Sequence, residues 1–181
     1  MLYLQVNKNK LFRNFAYSLL LISVLASCEK ETVVRYQADM DAEFDLPTGL
    51  NTVETHYFII RDVPTNYKLN ADLKGVDTSS IFNVQASKGL LKSKFGGVDF
   101  DFINRISVYA VSKKDPSKKR EMYYLEFVPV STGPELKMLS STTQLKEILR
   151  DELIDMEVRI NLRSFTTSAI RARLEFGYAV F

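Results

Sequence analysis

The sequence contains no tryptophan, one cysteine and one histidine among its 181 residues. A lone cysteine rules out an internal disulfide, and a lone histidine leaves zinc or nucleophilic chemistry little to build on. The missing tryptophan and second cysteine also remove the Cys…Trp…Cys signature of a true immunoglobulin domain. Glycine and proline are sparse, at 7 and 5, so nothing in the composition marks a disordered or low-complexity chain. No glycine-rich phosphate loop and no G-x-S-x-G elbow occurs. Charge of one sign is not in excess either: the formal net charge is +2. That gives no global electrostatic case for nucleic acid, which needs a strongly basic face.

What is present begins at the N-terminus. Lys8, Lys10 and Arg13 precede an apolar run over residues 15–25. That run has the length of an export signal and is short of the roughly 20 residues a membrane span needs. The stretch holds no acidic residue, so its removal takes the net charge to −1. Directly after it comes Leu25-Ala26-Ser27-Cys28, then the polar run Glu29-Lys30-Glu31.

The segment from Leu25 to Cys28 resembles the lipobox of bacterial lipoprotein precursors: a branched apolar residue, two small residues and the cysteine. The resemblance implies cleavage after Ser27 and a diacylglycerol, with further acyl chains such as palmitate, on Cys28. It also accounts for a solitary cysteine in an exported chain. Two or three acyl chains hold a protein on a bilayer essentially permanently, at about 0.8 kcal/mol per buried methylene. Asp after the cysteine tends to retain lipoproteins in the inner membrane of enteric-type bacteria. Glu29 therefore favours the outer membrane, with the leaflet left open. The run Glu29-Lys30-Glu31 resembles the charged export signals of Bacteroidota-type envelope lipoproteins. The expected organisation is a signal peptide over 1–27, a lipidated N-terminus and short tether over 28–34, and one domain over 35–181.

The domain reads as strands. Tyr36, Ala38, Met40, Ala42, Phe44 and Leu46 alternate with Gln37, Asp39, Asp41, Glu43 and Asp45, the period of a half-buried strand. Residues 52–61 predict a second strand. Residues 106–111 and 121–130 predict a hairpin about the polar turn 112–119. Residues 154–162 and 170–180 alternate as cleanly as the first strand. Residues 65–99 are loose, with short apolar pieces at 81–84 and 89–91. Thr142 or Thr143 can cap one short helix near 143–152, with Leu145, Ile148 and Leu149 on one face. No βαβ rhythm appears. The expected fold is an antiparallel β-sandwich, immunoglobulin-like or jelly-roll-like, with a small closed barrel as the alternative.

No catalytic constellation emerges, and no cofactor is expected beyond the lipid on Cys28. The carboxylates Asp39, Asp41, Glu43 and Asp45 share a strand face that cannot wrap a calcium ion. They suit cross-strand pairing with Arg159, Arg163, Arg171 or Arg173. His56 reads as a packed strand residue beside Tyr57 and Phe58. Two features suit contact with a ligand or partner. Lys113, Lys114, Lys118, Lys119 and Arg120 cluster on the hairpin, where they could meet anionic lipid or lipopolysaccharide. Tyr109, Tyr123 and Tyr124 lie on its strands, and adjacent Tyr123 and Tyr124 must face opposite sides. The expectation is a non-enzymatic binding or assembly module for an envelope protein of the outer membrane, tethered to the bilayer through Cys28. The alternative is a surface glycan or ligand binder using Tyr123 or Tyr124. A carboxylate-based hydrolase, needing two acids converging in a cleft, comes third.

Overall fold

The computed structural model describes residues 33–181; the leader, the lipobox and Cys28 lie outside the described residues. Eight strands follow: β1 (Tyr36–Leu46), β2 (His56–Pro64), β3 (Val84–Ser93), β4 (Ile103–Ser112), β5 (Lys119–Leu125), β6 (Glu135–Ser140), β7 (Leu153–Leu162) and β8 (Ile170–Val180). A helix α1 (Tyr67–Leu73) lies between β2 and β3, and α2 (Lys146–Leu149) precedes β7. Every ladder is antiparallel, and the pairing is nested: β1 with β8, β2 with β7, β3 with β6 and β4 with β5. One long ribbon, folded at the β4–β5 hairpin, curls so that β3 also meets β8 and β4 meets β7. This connectivity is that of a jelly roll, and the immunoglobulin-like alternative does not form.

Strand β6 turns the corner between the two halves of the sandwich. Its first residues pair with β3, while Leu139 and Ser140 pair with Tyr124 and Tyr123 of β5. The two faces are therefore one eight-stranded sheet, in the order β1-β8-β3-β6-β5-β4-β7-β2. It is nearly closed and barrel-like. The ends β1 and β2 meet across the remaining seam, where the rings of Phe44 and Phe58 lie 5.5 Å apart. Inward residues of both faces, among them Leu46, Ile106, Met122, Met156, Ile160 and Leu174, form one buried core.

Three expectations need correction. The helix near 143–152 shrinks to Lys146–Leu149, because Asp151 turns inward to accept a hydrogen bond from Ser112 Oγ at 2.7 Å. The strand expected over 121–130 stops at Leu125. Beyond it Pro129 cannot join a ladder, and the Val128 N–H is taken by the Asn104 carbonyl at 2.9 Å. The loose region 65–99 contains α1 and a full ten-residue strand, β3.

Strand β3 has no regular alternation in sequence because a bulge breaks it. Ala86 faces Tyr178 and Gly89 faces Phe176, so Ser87 and Lys88 oppose the single residue Gly177. A bulge leaves backbone groups of the facing strand without ladder partners, which is costly when buried. Tyr123 fills this gap. Its ring crosses above Gly89, where an added Cβ would lie 2.4 Å from the ring. Its hydroxyl accepts from the Gly177 N–H at 3.0 Å and donates to the Gly177 carbonyl. Nearby, the Ser140 hydroxyl donates to the Ser87 carbonyl.

Candidate functional site

Successive strands alternate in direction, so the connections divide between the two ends of the barrel. The end where the chain enters β1 carries α1, the β4–β5 turn and the 141–152 connection with α2. The opposite end, the distal end, carries the connections 47–55, 94–102, 126–134 and 163–169.

Each distal loop presents a large apolar side chain to solvent. These are Val53 (93% exposed), Phe95 (83%), Phe127 (84%) with Val130, and Phe165 (63%). Single exposed apolar residues are ordinary on a protein surface, whereas one on each of the four loops at the same end is worth explaining. The loops are tied to one another by their backbones. Gly49 N–H donates to the Thr166 carbonyl at 2.8 Å, Phe100 N–H to Gly133 at 3.0 Å and Arg163 N–H to Phe102 at 2.9 Å. Buried Thr166 adds a hydroxyl that donates to Pro47 O and accepts from the Leu50 N–H. Arg163 spans three segments: its guanidinium donates to the carbonyls of Ile103 and Val128. His56 fastens the first loop through Nε2, which donates to the Asn51 carbonyl at 2.8 Å. The rim is thus a braced platform, and ordering its groups on contact costs little entropy.

Of the residues singled out from sequence, Tyr123 is misassigned as a contact residue. It is fully buried, held by the bulge described above, and burial pushes its hydroxyl well above its ordinary pKa. Tyr124 takes the outer face, half-buried, as parity requires. There the register sets Tyr57, Arg159, Ser107 and Tyr124 in one row across β2, β7, β4 and β5. The Arg159 guanidinium lies 4.3 Å from the Tyr109 ring and 5.4 Å from Tyr57, a cation–π stack. Burial alone would raise the Glu157 carboxyl, but hydrogen bonds from Lys119 and Arg159 outweigh it and hold the group low. Arg159 is raised in turn, chiefly by its bond to Glu157.

The hairpin lysines are largely neutralised within the fold. Lys113 pairs with Asp62 and Asp155, Lys114 with Asp151 at 2.6 Å and Lys119 with Glu157. Among the described residues Lys118 alone of the four makes no ion pair. Three of the four acids on the face of β1 are paired likewise: Asp41 with Arg173, Asp45 with Arg171, and Glu43 with Arg171 and Lys94, while Asp39 makes no ion pair among the described residues. Arg159 and Arg163 serve elsewhere. No three histidine, cysteine or carboxylate side chains converge as a metal would require among the described residues. No helix among them is long and apolar enough to cross a membrane. The described carboxyls that depart from their ordinary values, including Asp151, Glu157 and Glu175, all lie below them, held there by hydrogen bonds from neighbouring cations and hydroxyls.

Neither the distal rim nor the Tyr57–Arg159–Tyr109 stack is legible in the sequence. Apolar residues in separate loops carry no local pattern, and only the nested pairing brings them to one end. Compared with family models the chain matches none, and compared with curated proteins it again matches none.

Proposed function

We propose that the protein is a lipid-anchored envelope module, without enzymatic activity, that binds a protein partner through its distal rim. The observation that carries this reading is the set of exposed apolar residues on four braced loops, at the end opposite the entry of the chain. An anchor on Cys28 would hold that end outward from the outer membrane. Covering one such phenylalanine contributes about 1.5–3 kcal/mol, so the rim can supply the apolar centre of an interface whose remaining contacts come from its edge. The distal loops carry four acidic residues against two basic ones. The partner surface they suit is apolar at its centre and basic at its edge.

The test places a photo-reactive phenylalanine analogue at Phe127 in the producing cell. One discrete adduct with an envelope protein is expected, lost in a Phe95→Asp variant. An adduct pattern identical to that of a probe at exposed Gln37 on β1 would reject the rim. Cys28→Ala is expected to abolish incorporation of radiolabelled palmitate and to leave a precursor that is longer by the leader, with the fold of the domain intact.

The outer face of β2-β7-β4-β5 favours a second reading, a glycan-binding surface. Tyr57 and Tyr124 offer ring faces for stacking, and Arg159 with Glu157 offers a donor and an acceptor for sugar hydroxyls. Tyr57→Ala is then expected to weaken binding to glycan-array ligands at least tenfold, and a flat array for the unaltered protein would dismiss the idea.

A further inference from the structure

The end of the barrel at which the chain enters β1 has a surface of its own. Helix α1 buries Tyr67 and Ala71 and turns Leu69 and Leu73 outward, 56% and 73% exposed. These two sit one helical turn apart and form a single ridge. Phe82, on the same β2–β3 connection, is 64% exposed. Arg35 N–H bonds the Val180 carbonyl, and its guanidinium donates to Ser80 Oγ at 2.6 Å. The chain therefore enters the domain beside this connection.

Charge separates the two ends. The segments at the entry end carry eight basic and six acidic residues, the reverse of the acidic distal loops. Arg35, Lys74, Lys118 and Arg150 make no ion pair among the described residues. Beside Leu69 a groove of about 520 Å³, lined in part by Pro64, Tyr67 and Leu153, opens next to Arg150, with Lys68, Asp72 and Glu152 also on its wall.

We infer that this end is a membrane-facing surface, seated on an anionic phospholipid bilayer through Leu69, Leu73 and Phe82 with Arg35, Lys74 and Arg150 around them. The inference rests on the anchor reading of Cys28. From Cys28 to Arg35 is seven residues, a reach of about 25 Å at full extension. Such a tether keeps the entry end at the lipid surface, while strands of ten or eleven residues set the distal rim roughly 35 Å further out. An apolar ridge edged by basic side chains is the composition that interfacial segments use, apolar groups at the acyl boundary and cations at the headgroups. The rim lacks that composition and faces the other way.

Site-directed spin labelling tests the orientation. The lipidated protein is reconstituted in phosphatidylethanolamine–phosphatidylglycerol vesicles with a nitroxide at Leu73→Cys or Phe127→Cys. The label at 73 is expected to collide with a water-soluble nickel complex at least threefold less often than the label at 127, and more often with oxygen. Leu69→Glu combined with Phe82→Glu should erase the difference. Equal collision rates at 73 and 127 in the membrane-bound protein would overturn the inference. Maleimide reaction of the unsubstituted protein separates the two claims: a thioether at Cys28 leaves no thiol to react, so labelling there means that the anchor reading has failed. The surface is then tested without the anchor, by sedimenting the protein with the same vesicles. At least fivefold weaker binding of Leu69→Glu/Leu73→Glu supports the inference, and unchanged binding overturns it.

Discussion

Gly89→Ala is expected to lower the stability of the domain by about 3 kcal/mol, and the same substitution in a Tyr123→Ala background to cost close to nothing. The methyl group at position 89 would stand 2.4 Å from the Tyr123 ring. That ring cannot swing aside, because its hydroxyl is bonded to both the N–H and the carbonyl of Gly177. Overpacking of a filled core costs about 1–3 kcal/mol when neighbours can yield. Here yielding also breaks the two bonds that close the bulge, each worth about 1 kcal/mol. Tyr123→Ala by itself removes a buried aromatic and costs about 3–5 kcal/mol, a large part of the 5–15 kcal/mol that holds a domain together. With the ring absent, the new methyl enters vacated space. Urea unfolding of the two single variants and the double variant measures the coupling. Strictly additive losses would show that Gly89 and Tyr123 do not meet as described.

Asp151→Asn is expected to cost about 2 kcal/mol at pH 7 and distinctly less at pH 3, where part of the carboxylate's advantage is already lost. Burial favours the neutral acid, but hydrogen bonds from Lys114 and Ser112 outweigh it, and the folded carboxyl lies below its ordinary value. A carboxyl with a depressed folded pKa stabilises the native state above its unfolded pKa of about 3.9, and that contribution is lost as the pH falls through the folded value. Lys114 is exposed and contributes little on its own. Most of the effect belongs to the short bond from buried Ser112, a charge-assisted bond worth about 1.5–3 kcal/mol. Glu43, Glu157 and Glu175 are also held low, but they act alike in both proteins and cancel in the difference. Urea titrations of the pair at the two pH values decide the matter. A gap of equal size at pH 3 would mean that the carboxylate charge plays no part.

Sequence pattern carries the fold furthest where one strand face is buried and the other wet. Strands β1, β7 and β8 were legible for that reason, and so was the β4–β5 hairpin. Strand β3 was not, because Ser87 and Lys88 together take the place of one residue and reverse the parity from Ala86 to Gly89. Strand β6 offers only Leu136 and Met138 as inward residues, too few for a period to register. Helix α1 starts after Asn66 without a side-chain capping bond and runs for only seven residues, too few for an apolar period to register. The same limits apply to the sites. Parity required Tyr123 and Tyr124 to take opposite sides but did not say which; the bulge in a distant strand decides it. The lysine cluster was visible, while the acids that neutralise it come from β2, the 141–152 connection and β7 and are invisible locally.

The nested pairing also has a mechanical consequence. Strand β1 is an edge of the sheet, bonded on one side only, along eleven register pairs from Tyr36↔Val180 to Leu46↔Ile170. With the proposed anchor and partner in place, a pull between the N-terminus and the distal rim would act along β1. It meets that ladder in shear, with all eleven pairs strained together, and does not peel them one by one. A domain tethered by its first strand in this way bears traction at the point where an edge strand would otherwise be weakest.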